Sequence, residues 1–502
     1  MSVPKSSTAA DALFMNVLVT MLLVSMAAGM GWGIRGQYGH ESGAMIAGTL
    51  ASLTIVLLII PNANSLFAAR AAAMMTVGIG IGGTMTYGQT VGLTHDRDLV
   101  GNWEALRWGL IGLFVKGGIW ISFAGAFLGM GLSGKSYRPL EMLLVMSGLI
   151  GLLFVGLWLL NSPFDPANKV LPRFYFSGNW YFQPDKVDLK PRREVWGGLL
   201  VALLGLLGYC GLVRRDSLAL RLGWIGFLGG GFGFAGGQCI QAFHSWNAEL
   251  FKTGALSSYK VFGYVNWWNM MEITFGLVFG AVIAWGVWFH RHLIDPKASS
   301  TNYGDSEDGE WNTSTDTQVC LSPTMEMALI AIHVVLLLNA EFLQMPEGLQ
   351  FLSRYTDGLY MCVLPMIGIV GGRIWPYAHL LPIVAAPICG KEIRALVYGE
   401  PQHYSVGFGW LIFAMIPVGI AIIMATWLIS KSYTHRAREF ASIGLIATVL
   451  LYFGLNTYFF HQGWPWLEWT SRTPSQCIFM ICSICLIAAA GYVWLLRRCK
   501  EC

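Results

Sequence analysis

Apolar runs long enough to cross a bilayer follow one another along almost the whole chain, and this succession restricts the fold more than any other feature. The first is Leu13–Ile34 and the last Cys477–Leu496. A lipid-facing segment must satisfy every backbone polar group internally, so a helix of about twenty residues is the natural reading of each run. About fourteen such runs are expected. The shortest are Leu359–Ile374 and Tyr377–Cys389, the latter with two prolines. The expected fold is therefore an all-α integral membrane protein, a polytopic bundle of about fourteen transmembrane helices. Composition agrees: 55% of residues are hydrophobic and 12% charged, about half the usual charged share. A formal net charge of +4 gives no reason to expect nucleic acid as a partner. The expected partners are the lipid bilayer and a small-molecule substrate.

Basic residues in alternate short loops set the expected orientation. Arg70, Lys135, Arg138, Arg214, Arg215, Arg221, Arg291, Arg373, Lys431, Arg436 and Arg438 fall on one side with the tail residues Arg497, Arg498 and Lys500. Placing them in the cytoplasm puts both termini there, in a cell (inner) membrane. Lys391 and Arg394 break the pattern. The stretch 291–324 is hydrophilic and poor in apolar residues, so it reads as a cytoplasmic linker. It divides the chain into an N-terminal membrane half, 1–290, and a C-terminal half, 325–502.

Within the apolar background the polar residues stand out. Gly31–Gly43 reads GWGIRGQYGHESG and carries Arg35, Gln37, His40 and Glu41. Such residues at a helix end in a membrane are costly without partners and mark a site. The pattern of a glycine-rich helix end, Gly-Gln and a histidine returns with Gln89 and His95, and again with Gln238 and His244. Segments 82–132 and 230–289 also share an Asn-Trp pair (Asn102-Trp103, Asn266-Trp267), which suggests a parallel internal repeat of the kind found in some transporters. All three histidine segments would lie toward the outer face and form a substrate-binding region.

Charges in mid-run need partners. Lys116 and Glu272 occupy the runs after the two repeated motifs and are expected to pair with each other. His333 lies in a strongly apolar run, as a proton relay or as a hydrogen-bonded packing residue. Lys391, Glu392 and Arg394 after Gly390 read either as a loop ion pair or as an anion contact. Asp96 and Asp98, spaced Asp-x-Asp, are a metal or diphosphate site under an enzymatic reading and a solvated turn otherwise. Most cysteines sit in apolar runs as small packing residues. No phosphate-binding loop or His-Glu-x-x-His zinc motif is present, and no cofactor is indicated.

The expected function is secondary transport of a small polar or anionic solute, coupled to protons or sodium, with its site toward the outer face. One alternative is an integral-membrane transferase acting on a lipid-linked sugar or similar substrate at the outer face, with His40 or Glu41 as base. The other is a structural subunit of a membrane complex. Polar groups converging at mid-depth would favour transport; a cavity open to the outer leaflet would favour the enzyme.

Overall fold

The computed structural model describes residues 16–178, 180–186, 189–296, 319–342, 354–460 and 464–501. These residues form an all-helical bundle with no β-sheet. Among the described residues twelve helices are long and apolar enough to cross a membrane. The principal elements are α1 (Val17–Arg35), α2 (Glu41–Ile59), α3 (Ser65–Ile81), the short α4 (Gly88–His95), α5 (Trp103–Leu132) and α6 (Pro139–Leu160). They continue with α7 (Trp196–Gly208), α8 (Ser217–Trp246), α9 (Trp267–Phe289), α10 (Pro323–Phe342) and α11 (Gly358–Gly371). The last are α12 (Val384–Leu396), α13 (Ile416–Ser430), α14 (Ala437–Phe459) and α15 (Thr473–Glu501).

Two of the fourteen expected spans take a different form. The run at Leu359–Ile374 is α11, only fourteen residues long and carrying Pro365. The run at Tyr377–Cys389 is a one-turn helix, a π-helical turn (His379–Ile383) and the start of α12. Pro382 and Pro387 lack the N–H that a regular helix would use there. Of the stretch read as a linker, residues 297–318 lie outside the described residues.

A membrane bundle has no hydrophobic drive between its helices, so close packing must do that work. The spine of this bundle is antiparallel packing through glycine. Along α5 and α8, Gly117 lies against Gly230, Gly125 against Leu222 and Gly129 against Ala219. A methyl group on Gly230 would overlap the Gly117 carbonyl, so these backbones touch only because neither position has a Cβ. Along α9 and α1, Gly276 meets Ala28 and Gly280 meets Val24; along α8 and α9, Gly237 meets Met271. Gly230→Val is therefore expected to destabilise the protein by roughly 1–3 kcal/mol through overpacking, read as a lower unfolding midpoint in detergent. An unchanged midpoint would show that the helices separate freely.

The helices divide into a buried core and a rim. Every residue of the α3 span is buried, and nearly all of α2. By contrast α6, α10 and α13 turn large apolar side chains outward, among them Phe154, Trp158, Val335 and Ile423. That is the expected face toward lipid, which solvates such groups without penalty. The two sequence halves interlock: Ser65 hydrogen-bonds Tyr377 at 2.9 Å, and Arg70 donates to the Gly372 carbonyl at 3.1 Å.

The two Asn-Trp pairs are helix starts. Asn102 Oδ1 accepts the N–H groups of Glu104 and Ala105 at the head of α5, and Asn266 Oδ1 accepts that of Asn269 at the head of α9. Asparagine at this position satisfies backbone donors that the first turn leaves open. Helices α5 and α9 both run antiparallel to α8, so the two segments that share the motif have the same sense.

Candidate functional site

Helix α1 ends on Arg35, and five residues, Gly36 to His40, carry the chain into α2. Gly39 has φ +80°, a left-handed conformation that favours glycine, which lets the turn reverse this tightly. Gly43 permits the return: a Cβ there would lie 2.6 Å from the Arg35 carbonyl. Helix α3 likewise stops, and Gly82–Thr84 forms a tight turn against His40 and Glu41. Two broken helix ends thus meet beside α5, level with Trp120, near the middle of that thirty-residue helix.

The Arg35 side chain is 1% exposed. Its Nη2 donates to the Tyr87 hydroxyl at 2.6 Å and to Glu272 Oε1 at 2.9 Å. Aromatic rings enclose the guanidinium, with centroids at 4.6 Å (Trp32), 5.5 Å (Tyr87) and 5.6 Å (Trp120). Such faces stabilise a desolvated cation. Glu272 is held in turn by Trp268 Nε1 at 3.3 Å and Asn269 Nδ2 at 3.2 Å, while the same amide donates to the Gly33 carbonyl. Arg35 Nε and Nη1 are buried and have no hydrogen-bond partner. A buried donor left in that state is expensive and calls for an occupant. His40 stacks near this group, 5.0 Å from the Tyr87 ring, and with Gln37 and Glu41 is partly exposed at its margin.

Lys116 corrects the expected pairing. Its ammonium meets Glu194 at 2.7 Å, not Glu272, whose carboxylate is taken by Arg35. It also donates to the Thr86 carbonyl, Thr90 Oγ1 and Ser177 Oγ. Glu194, fully buried, further accepts from Phe176 N, Ser177 Oγ and Trp196 Nε1. Every donor and acceptor of this pair is used, so the group is a lock between α5, the 86–90 turn and the loop before α7. The two ion pairs stand back to back: Thr86 serves Lys116 and Tyr87 serves Arg35.

The repeated Gly-Gln-His residues separate into different tasks. Gln238 donates to Thr94 Oγ1 at 2.6 Å, and Trp246 to the Thr94 carbonyl, so the end of α8 is tied to α4. His95 lies at 6.3 Å from Trp268, its Nδ1 3.0 Å from the Val91 carbonyl. Gln89 instead holds the long loop, donating to the Lys190 carbonyl and accepting from Arg192 N. His244 stacks on Trp267 at 4.4 Å, among loop aromatics. The motif does not bring its three histidines together around one point.

Asp98 is exposed in a turn, and its hydrogen bond from Lys186 (2.5 Å) holds its carboxylate below the usual range. Asp96 lies 3.9 Å from His95. Among the described residues no three His, Cys, Asp or Glu side chains group as they would around a metal ion. Asp98→Ala is expected to leave both the unfolding midpoint and ligand-induced stabilisation unchanged; a lost manganese response in a thermal scan would reinstate a metal role.

His333 has other neighbours than the Arg35 group. Its Nδ1 lies 2.6 Å from the Tyr355 hydroxyl, and its ring 6.5 Å from that of His379. Sequence reading missed the aromatic wall of Trp32, Tyr87 and Trp120, the partner Glu194, and Asn269. A signal existed for the first: Trp32 lies three residues before Arg35, the spacing that puts two side chains on one helix face. None existed for Glu194, one acidic residue at the end of a basic loop.

No protein-family model, curated protein or solved structure matches the chain.

Proposed function

We propose that this chain is a secondary transporter of a small polar or anionic solute and that Arg35 marks the substrate position. One observation carries the reading. A fully buried guanidinium with two unpartnered nitrogens sits beside Trp120 of α5, at the meeting point of the ends of α1 and α3. Helix ends that turn toward a buried polar group are a transporter device for exposing binding groups within a membrane. A carboxylate or similar acceptor on the solute would satisfy Nε and Nη1, while Tyr87 and Glu272 keep Nη2. The ion pair with Glu272 offsets the site's charge, which suits a polar or zwitterionic solute as well as an anion. The common sense of α5 and α9 supports a repeat of parallel type; we place the bundle in the cell (inner) membrane with both termini cytoplasmic on the loop-charge pattern alone. The transferase reading loses support because Asp98 is committed to Lys186 at the surface.

The test is thermal unfolding of the purified protein in detergent against sugars, amino acids, organic anions, sodium and divalent metals. A specific solute at a hundred times its Kd stabilises by about 2.7 kcal/mol. The expected result is a shift with one soluble class that Arg35→Ala abolishes. A shift only with manganese or magnesium plus a lipid diphosphate, lost in Asp96→Ala, would overturn the reading in favour of the enzyme.

A further inference from the structure

Beyond the Arg35 site, the described interior holds a buried carboxyl that has no counter-ion and an incomplete set of hydrogen bonds. Glu392 on α12 is 0% exposed. Its Oε1 accepts from the Tyr38 hydroxyl at 2.5 Å, and its Oε2 is buried without a partner. Tyr452 and Asn456 on α14 are also 0% exposed, and the Tyr452 hydroxyl and both amide atoms of Asn456 have no partner.

Helix geometry puts the α14 groups on the side of that helix that meets Tyr38 and Cys389. Tyr452, Asn456 and Phe459 share one face of α14, at i, i+4 and i+7. Tyr452 at one end stands within electrostatic reach of Cys389, one turn before Glu392. Phe459 at the other end packs on Tyr38, with ring centroids 5.8 Å apart. Asn456 lies between them on the same face. The cations on α12 are spent elsewhere: Lys391 and Arg394 turn to Glu341 of α10, at 2.6 and 3.3 Å. Of the other titratable groups on packed elements, Glu41 of α2 stands in the field of Asp357, Lys391 and Arg35, and His379 in that of His333. Tyr38 and Cys389 are thus the titratable groups beside this carboxyl, with Tyr452 next to Cys389.

We infer that Glu392 is a proton-binding site that couples proton movement to the solute site. A carboxylate buried with no cation is strongly disfavoured and exists in such a place as the neutral acid. The step is one protonation: the unpartnered Oε2 gains a proton from water and returns it to water when the group is exposed. Tyr38 makes this more than a local event. It belongs to the five-residue reversal between α1 and α2, three positions after Arg35. When the carboxyl changes charge, the Tyr38 hydrogen bond strengthens or weakens, and the same loop carries the solute-binding guanidinium. Glu392 lies on α12, so the coupling draws the C-terminal part of the chain into the site.

The coupling rests on the transporter reading, but proton binding itself does not, and the experiment separates the two. Infrared pH-difference spectra of the purified protein should contain the carbonyl band of a carboxylic acid at neutral pH. That band should vanish in Glu392→Gln, shift in Tyr38→Phe, and be indifferent to replacing choline chloride by sodium chloride. Absence of any Glu392-dependent band across the titration would overturn the inference, and so would a band removed by sodium at fixed pH. Tyr38→Phe keeps the test decisive where Glu392→Gln fails to fold. In proteoliposomes, Glu392→Gln should lose accumulation driven by an acid gradient, by roughly tenfold or more, and retain solute exchange. Accumulation equal to wild type would overturn the coupling while leaving the proton site standing.

Discussion

Arg35→Ala is expected to be the most damaging single substitution in the protein, for two separable reasons. It removes the groups proposed to bind solute, so stabilisation by the solute disappears. It also strands Glu272, whose side chain is 5% exposed, with only the Trp268 and Asn269 donors left. Breaking a buried pair from one side costs about 3–5 kcal/mol, because the remaining charge is uncompensated. The two effects are distinguished by the double variant Arg35→Ala/Glu272→Ala. With both charges gone, roughly 1–3 kcal/mol of the loss should return, while solute stabilisation should stay absent. Urea titration in detergent measures the first and ligand-dependent midpoints the second. Equal losses in single and double variants would mean the ion pair is not coupled; solute stabilisation surviving in either would remove Arg35 from the site.

Lys116→Met is expected to cost a similar amount, about 3–5 kcal/mol, for a purely structural reason. It leaves Glu194 buried and facing only neutral donors, and it releases the 86–90 turn from the loop that precedes α7. Pairing it with Glu194→Gln removes the stranded charge and should restore part of the stability. Solute binding, corrected for folding, should survive in the double variant, since Arg35 keeps its own partners. A double variant that folds normally yet no longer responds to solute would place this pair in the binding machinery and not beneath it. Limited proteolysis of the loop around Ser177 gives a second readout, since loss of the lock should open that segment first.

The origin of these effects explains how far the chain was legible beforehand. Spans are legible because each depends on its own composition: about twenty apolar residues must become a helix wherever they stand in a bilayer. The break at Arg35 was legible too, since glycines and four polar residues crowd one helix end. Partner identity was not. Lys116 and Glu272 looked like a pair because each is the conspicuous charge in its own run. The contact that decides the matter comes instead from Glu194, seventy-eight positions away in a loop with no motif. Glu392 was harder still, because Lys391 and Arg394 beside it suggested a solvated ion pair. A helical turn sends those two toward α10 and the carboxylate inward.

By itself, then, the sequence determined a polytopic helical membrane protein and Gly31–Gly43 as the place where polarity enters the bundle. Those properties are local, written in single runs of residues. The tertiary structure alone decided that Arg35 belongs with Glu272, that Lys116 is a lock, and that Tyr38 joins Glu392 to the same loop. Each of these depends on which helix faces which across the bundle. A buried charge takes the partner that geometry brings within about 3 Å, however far away it lies in the chain.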